Sequence, residues 1–287
     1  LNQRESNMGA SFYDLTDVRL NEDRRVSLKL TPEMMLRTVN GGYLAALGLR
    51  ATASLSSAQT PVSLSMDFIR GVKIGEAILE VAPVSVKLGS TLHGVTLSQH
   101  GNLCATARIW TMNARGGPEH DSGSMPLVPH PDELRSLEQI IKPSDPPIPR
   151  FFDIFDQRPI NRDSQSIKRR SSKFRRWFRM RNEPDAFDEF YGFSRCLPII
   201  DVFGIMAGAQ MYEGPFVFGF APTANLSVHF MDTRYSGEWL LCDAVCDYAG
   251  AGAIFSRARM WGLRGELVAE GISSMVFKSK RTNRPVV

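Results

Sequence analysis

Asp201 is the residue best placed to do chemistry. It stands alone in an apolar run, Leu197-Pro198-Ile199-Ile200-Asp201-Val202-Phe203-Gly204. A lone carboxylate is costly to bury unless something pairs with it. At a helix start it would bond free backbone N–H groups, a cap that contributes about 0.5–2 kcal/mol. In a buried site its pKa would rise, and it would serve as a general base for water. The two roles can coexist. The second feature is Asn40-Gly41-Gly42-Tyr43, which opens another apolar stretch. A buried helix start offers free N–H donors and partial positive charge, and glycine lets a ligand approach the backbone closely. Such a start can stabilise negative charge developing on an oxygen. Equally, Gly41 and Gly42 can simply permit a tight turn. Thr223, taken alone, is an ordinary strand hydroxyl.

Other chemistries lack their residues. No GxGxxG follows a strand and no Walker loop is present, which disfavours a phosphate-cradling loop. HExxH, a dense His/Cys cluster and GxSxG are also missing, so nothing points to a metal or to a nucleophile-elbow serine. The five histidines are scattered. Cys104, Cys196, Cys242 and Cys246 form no CxxC pair and read as free buried thiols. Net charge is +4, yet Lys168, Arg169, Arg170, Lys173, Arg175, Arg176, Arg179 and Arg181 crowd into one acid-free segment. Part of it, 174–181, alternates Phe174, Arg176, Phe178, Met180 against Arg175, Trp177, Arg179, Arg181. That is a strand with one partly apolar face. A solvated strand, help with a phosphate-bearing ligand, and binding of nucleic acid or an anionic surface are the three readings, in falling order.

The elements that must position these residues repeat. A chain of 287 residues suits two domains, and 43% hydrophobic with 22% charged residues suits packed cores. No run approaches a membrane span, and no secretory leader is visible. The sequence opens at Leu1, as a processed chain or a fragment would. Ser63-Leu64-Ser65-Met66-Asp67-Phe68 matches Asn225-Leu226-Ser227-Val228-His229-Phe230, 162 residues on. Gly75-Glu76-Ala77-Ile78-Leu79 matches Gly237-Glu238-Trp239-Leu240-Leu241 at the same offset. Gly101-Asn102-Leu103-Cys104-Ala105 matches Gly265-Glu266-Leu267-Val268-Ala269 at 164. Each unit has a buried helix, expected over 40–51 and 201–209, and then strands over 77–81, 93–98 and 105–110, or 239–246, 253–261 and 267–277. The alternating segment 25–30 precedes the first helix as an antiparallel strand. Between the units, 113–170 is too proline-rich for regular structure beyond short helices near 133–141.

This duplicated unit resembles the hotdog fold in tandem. The residues resemble those of the acyl-CoA thioesterase II family and its thioesterase-like relatives. The likeness is carried by Asn40-Gly41-Gly42-Tyr43, Ser98-Gln99-His100-Gly101, Trp177-Phe178-Arg179-Met180-Arg181, Pro222-Thr223-Ala224-Asn225-Leu226-Ser227-Val228-His229-Phe230 and Gly265-Glu266-Leu267-Val268-Ala269. It implies an α+β double hotdog, with two antiparallel sheets each wrapped round a long central helix. The N-terminal hotdog would span 12–112, a Pro-rich crossover linker 113–172, and the C-terminal hotdog 173–280. The family activates a water with Asp, a hydroxyl residue and Gln, which places the catalytic set at Asp201, Thr223 and Ser273. Ser273 departs from the family's Gln and offers shorter reach and one hydroxyl. Asn40, Gly41, Gly42 and Tyr43 would bind substrate by polarising the thioester carbonyl. The resemblance implies hydrolysis of acyl-CoA or acyl-carrier thioesters in a cytoplasmic homo-oligomer. No cofactor, metal, nucleic acid or membrane span is implied. The alternative is a non-hydrolytic protein that keeps the acyl pocket with altered chemistry.

Overall fold

The computed structural model describes residues 11–56, 59–113, 117–118, 120–143, 147–160, 171–210, 221–231 and 237–277. Unit one contains α1 (Phe12–Leu15), β1 (Arg25–Leu30), α2 (Gly41–Ala53), β2 (Thr60–Phe68), β3 (Gly75–Lys87), β4 (Ser90–Gln99) and β5 (Asn102–Met112). The connecting segment carries α3 (Leu137–Ile140) and β6 (Phe155–Pro159). Unit two contains β7 (Lys173–Met180), α4 (Glu189–Ser194), α5 (Cys196–Ala209), β8 (Thr223–Phe230), β9 (Trp239–Gly250), β10 (Ala253–Trp261) and β11 (Leu267–Val276).

The strands form one antiparallel sheet of eleven, in the order β1-β3-β4-β5-β2-β8-β11-β10-β9-β7-β6. Two sheets were expected, one round each helix and continuous or edge to edge; pairing of β2 with β8 makes them one continuous sheet. The joint removes two edges, which would otherwise expose unpaired N–H and C=O groups. The order reads the same from either end, apart from β6. The register sharpens this. Ser65 pairs with Ser227, its own counterpart at the 162-residue offset. A pseudo-twofold axis therefore passes between those two serines. Even the irregularities repeat: the β2–β5 pairing shifts between Pro61 and Ser63, and the β8–β11 pairing shifts opposite Thr223 and Asn225.

Each central helix packs on its own half of the sheet. The helices also touch each other where Gly42 meets the start of α5. A Cβ on Gly42 would lie 2.3 Å from the Leu197 carbonyl oxygen and 2.4 Å from the Pro198 Cα. Only glycine allows that approach. Pro198 falls in the first turn of α5, where its missing N–H costs no helix bond. The helix thus begins at Cys196, five residues before the start expected at Asp201. The run Glu189–Ala209 is long and apolar enough to cross a membrane, but 89% of its most apolar window is buried inside this fold.

The connecting segment is more ordered than its prolines suggest. β6 adds to the edge of unit two beside β7. An edge strand tolerates the Pro159 that ends it. Phe151 reaches across to Tyr43, with ring centroids 6.0 Å apart. On the outer face, Trp177, Trp239, Leu241 and Trp261 form a second cluster roofed by Met125, Val128 and Leu134 of this segment. That roof buries Trp177 on the face expected to be solvated, and its indole N–H donates to the Pro129 carbonyl at 3.0 Å.

The strand in the basic run is confirmed as β7, and its cations are largely matched. Arg175 bonds Asp243 at 2.6 Å, Arg179 bonds Asp156 at 2.8 Å and Glu238 at 3.2 Å, and Arg181 bonds Glu138. Paired arginines leave little free positive surface for an anionic polymer. Lys168, Arg169 and Arg170 lie outside the described residues. The four cysteines are free and buried, as expected.

Candidate active site

Asp201 lies within the second turn of α5, so it does not cap its own helix. It is 5% exposed, and its carboxylate faces the start of the other helix. Asn40 Nδ2 donates to Asp201 Oδ2 at 2.7 Å, and the Gly42 N–H donates to the same oxygen at 3.0 Å. The Thr223 hydroxyl donates to Oδ1 at 2.7 Å. One carboxylate is thus held by donors from both units. The cap anticipated for Asp201 exists, but it serves α2.

Opposing forces set its charge. Burial pushes the Asp201 carboxyl above its ordinary range, while hydrogen bonds from Thr223, Gly42, Asn40 and Gly41 favour the anion and hold it down. The positive end of α2 acts in the same direction as those donors. The result is a sheltered carboxylate with a raised proton affinity, suited to accepting a proton.

The substrate-binding residues read from the sequence take other parts. Asn40 is the N-cap of α2: its Oδ1 accepts from the Tyr43 N–H at 2.9 Å while its amide holds Asp201. Gly42 spends its N–H on Asp201. The Tyr43 side chain is fully buried, its ring 5.1 Å from Phe12, so it belongs to the core. Burial lifts its hydroxyl above the ordinary range. The N–H donors of Gly42 and Tyr43, anticipated for a substrate oxygen, are therefore committed within the protein. Gly41 is half-buried and lies against Asp201: a Cβ there would stand 3.2 Å from Oδ2.

Thr223 and Asp201 come together as expected; Ser273 joins them less directly. Ser273 is buried on the inner face of β11, and its hydroxyl donates to the Ile200 carbonyl at 3.4 Å. That carbonyl precedes Asp201, so Ser273 meets the helix backbone and not the carboxylate. Beside it, Ser256 donates to the Gly204 carbonyl at 2.9 Å. Two further residues went unnoticed in the sequence. One is Asn40 as a partner of Asp201, although the two stand 161 residues apart, within one residue of the repeat offset. The other is Phe68, whose ring lies across Gly41 from the carboxylate.

With fold and site described, the class is defined by comparison. A family model described as the acyl-CoA thioesterase C-terminal domain matches residues 126–276, and its N-terminal companion matches 30–112. This chain belongs to that acyl-CoA thioesterase family. Among solved structures it is similar to a conserved protein of unknown function with a hot dog fold from Alicyclobacillus acidocaldarius. That likeness has a TM-score of 0.78 and 20% identity over 93% of this chain and 98% of the other. An acyl-CoA thioesterase II from Mycobacterium marinum gives a TM-score of 0.76 and 20% identity, again over 93% of this chain and 98% of the other. At such identities the likeness is one of fold. A search of curated proteins gives no match.

Proposed function

We propose that this chain hydrolyses acyl-CoA or related acyl thioesters with Asp201 as general base. The observation that carries the reading is the buried Asp201 carboxylate, held by Thr223 on one oxygen and by Asn40 and Gly42 on the other. Oδ1 accepts one hydrogen bond from Thr223 and retains capacity for a water. Asp201 takes a proton as the water oxygen bonds the thioester carbonyl carbon. The tetrahedral adduct then collapses, the C–S bond breaks, and the departing thiolate takes the proton from the Asp201 carboxyl. Thr223 orients the carboxylate. The start of α2 stabilises the Asp201 anion, a different role from polarising the substrate.

The acid limb of kcat/KM should lie above the ordinary carboxylate range, because the base must be ionised and burial raises its proton affinity. Activity is lost as pH falls through that raised value. The direct test is release of free thiol from acyl-CoA substrates of graded chain length. One observation favours a second reading, a non-hydrolytic acyl-thioester binder: Ser273 donates its hydroxyl proton to the Ile200 carbonyl and not towards the carboxylate. Binding of acyl-CoA without thiol release at any chain length would establish that reading in place of the first.

A further inference from the structure

Asp201 is enclosed unevenly. Asn40, Gly42 and Ser273 around it are buried, whereas Gly41, Phe68 and Thr223 are half-buried. Among the described residues, these three are the partly exposed ones known to lie beside it. Gly41 has no side chain, and Thr223 has its hydroxyl tied to Asp201. Phe68 is the large side chain among these three. Its placement is specific. A Cβ added to Gly41 would lie 2.8 Å from Phe68 Cζ and 3.1 Å from Cε1, and 3.2 Å from Asp201 Oδ2. Ring edge and carboxylate oxygen thus both crowd the one point that a side chain on Gly41 would fill. Phe230, the repeat counterpart of Phe68, is only 7% exposed and packs on Phe193 with ring centroids 4.8 Å apart. The same residue type is core in one unit and stands beside the carboxylate in the other.

We propose that Phe68 is a specificity-determining residue: its ring forms the wall that limits bulk on the acyl carbon next to the thioester carbonyl and keeps bulk water off Asp201. The selectivity half rests on the hydrolytic reading above; the shielding half does not. Chemistry requires the carbonyl carbon about 3–3.5 Å from the attacking water. The acyl α-carbon is then bound one bond further out and passes along the ring edge. A straight chain presents hydrogens there. A branched chain presents a methyl group, and one such group against a fixed apolar wall changes discrimination by about 10–200-fold.

The test compares full-length wild type, Phe68→Leu and Phe68→Ala with n-butyryl-CoA and isobutyryl-CoA. Thermal melts confirm that each variant folds, and Phe68→Leu carries the comparison if Phe68→Ala does not. The ratio of kcat/KM, branched over straight, should rise at least about 10-fold in Phe68→Ala and less in Phe68→Leu. An unchanged ratio overturns the wall. The second readout needs no substrate: the ¹³C carboxyl titration of Asp201, assigned by its loss in Asp201→Asn. Opening the wall should move that titration down towards the ordinary carboxylate range. If wild type releases no thiol from either substrate or from the graded acyl-CoA series, the hydrolytic reading has failed. The titration then decides alone, and an unmoved Asp201 overturns the proposal.

Discussion

The two halves of this molecule share a register and differ in chemistry. Under the 162-residue repeat, Pro61 is the counterpart of Thr223, and both sit at the same irregularity in their pairing. Ile109, opposite Leu64, is the counterpart of Ser273, opposite Leu226. Asn40 caps α2 whereas Asp201 lies in the second turn of α5, and the two side chains meet where the helices touch. Thr223 and Ser273 have a proline and an aliphatic residue at their twin positions. The backbone pairing is kept on both sides because it holds the sheet together. The charge sits on one side only: counted from the helix starts, the position in α2 that matches Asp201 is Ala46.

The largest expected effect comes from moving that charge. Asp201→Asn retains the shape and can still accept from Asn40 and Gly42, so the fold should persist. Thiol release should fall about 10²–10⁴-fold with the base removed. The swap Asn40→Asp/Asp201→Asn moves the carboxylate to the start of α2 and off the residue that Thr223 holds. It should not recover activity. Recovery to within tenfold of wild type would mean the halves are chemically interchangeable.

Next in size is the helix contact. Gly42→Ala drives a methyl group into the backbone of Leu197, where no side chain can yield. We expect a loss of about 1–3 kcal/mol or more. That corresponds to about 2–4 °C in Tm for each kcal/mol in a chain of this size. Gly48→Ala, two turns on in the same helix, meets only Val95 at 3.4 Å. It should leave Tm level or raise it, since alanine favours helix by about 1 kcal/mol. Matching losses in both melts would remove the close crossing as the special feature.

Ser273→Gln should raise hydrolysis about 2- to 12-fold, the worth of one neutral hydrogen bond of about 0.5–1.5 kcal/mol to the water. Weaker acyl-CoA affinity with no gain in turnover would count for the binding protein.

The smallest effect is one of pH. His93, the twin of Ser256 by register, is buried, with Nε2 2.9 Å from Ser56 Oγ and 3.1 Å from Thr111 Oγ1. Burial pushes its imidazole below the ordinary range. The unfolded chain then takes the proton more readily than the folded one. Stability from this group is therefore full above about pH 6.5 and falls as pH drops below it. His93→Gln should flatten the decline of Tm between pH 7.5 and 5.5. An unchanged slope would assign that decline to other groups.

Much of this architecture was legible from periodicity. The strand 25–30 and the helix near 40–51 stand almost where expected, because each is bounded by turn residues and buries one consistent set of apolar side chains. The 162-residue offset also revealed the repeated order of strands, but not which strands would meet at the joint. Three features were hidden for identifiable reasons. β6 ends in proline, which sequence patterning counts against a strand but an edge position permits. The start of α5 was masked by Pro198, since a proline marks a helix boundary without saying which side the helix lies on. The partners of Asp201 come from the other unit, and long-range pairing between an amide and a carboxylate leaves no local pattern. Asp201 itself was visible because an acid in an apolar run demands an explanation. Ser273 was visible only through resemblance.

The pairing of Ser65 with Ser227 has a consequence for how such a molecule can change. Two identical chains meeting at a true axis must carry every substitution in duplicate, so a carboxylate beside the axis arrives with its repelling copy. Joining the copies in one polypeptide lifts that constraint. One copy can acquire an acid while the other acquires the amide that holds it. Stoichiometry records the result: a tight inhibitor directed at Asp201 should titrate one site per chain, although the scaffold has places for two.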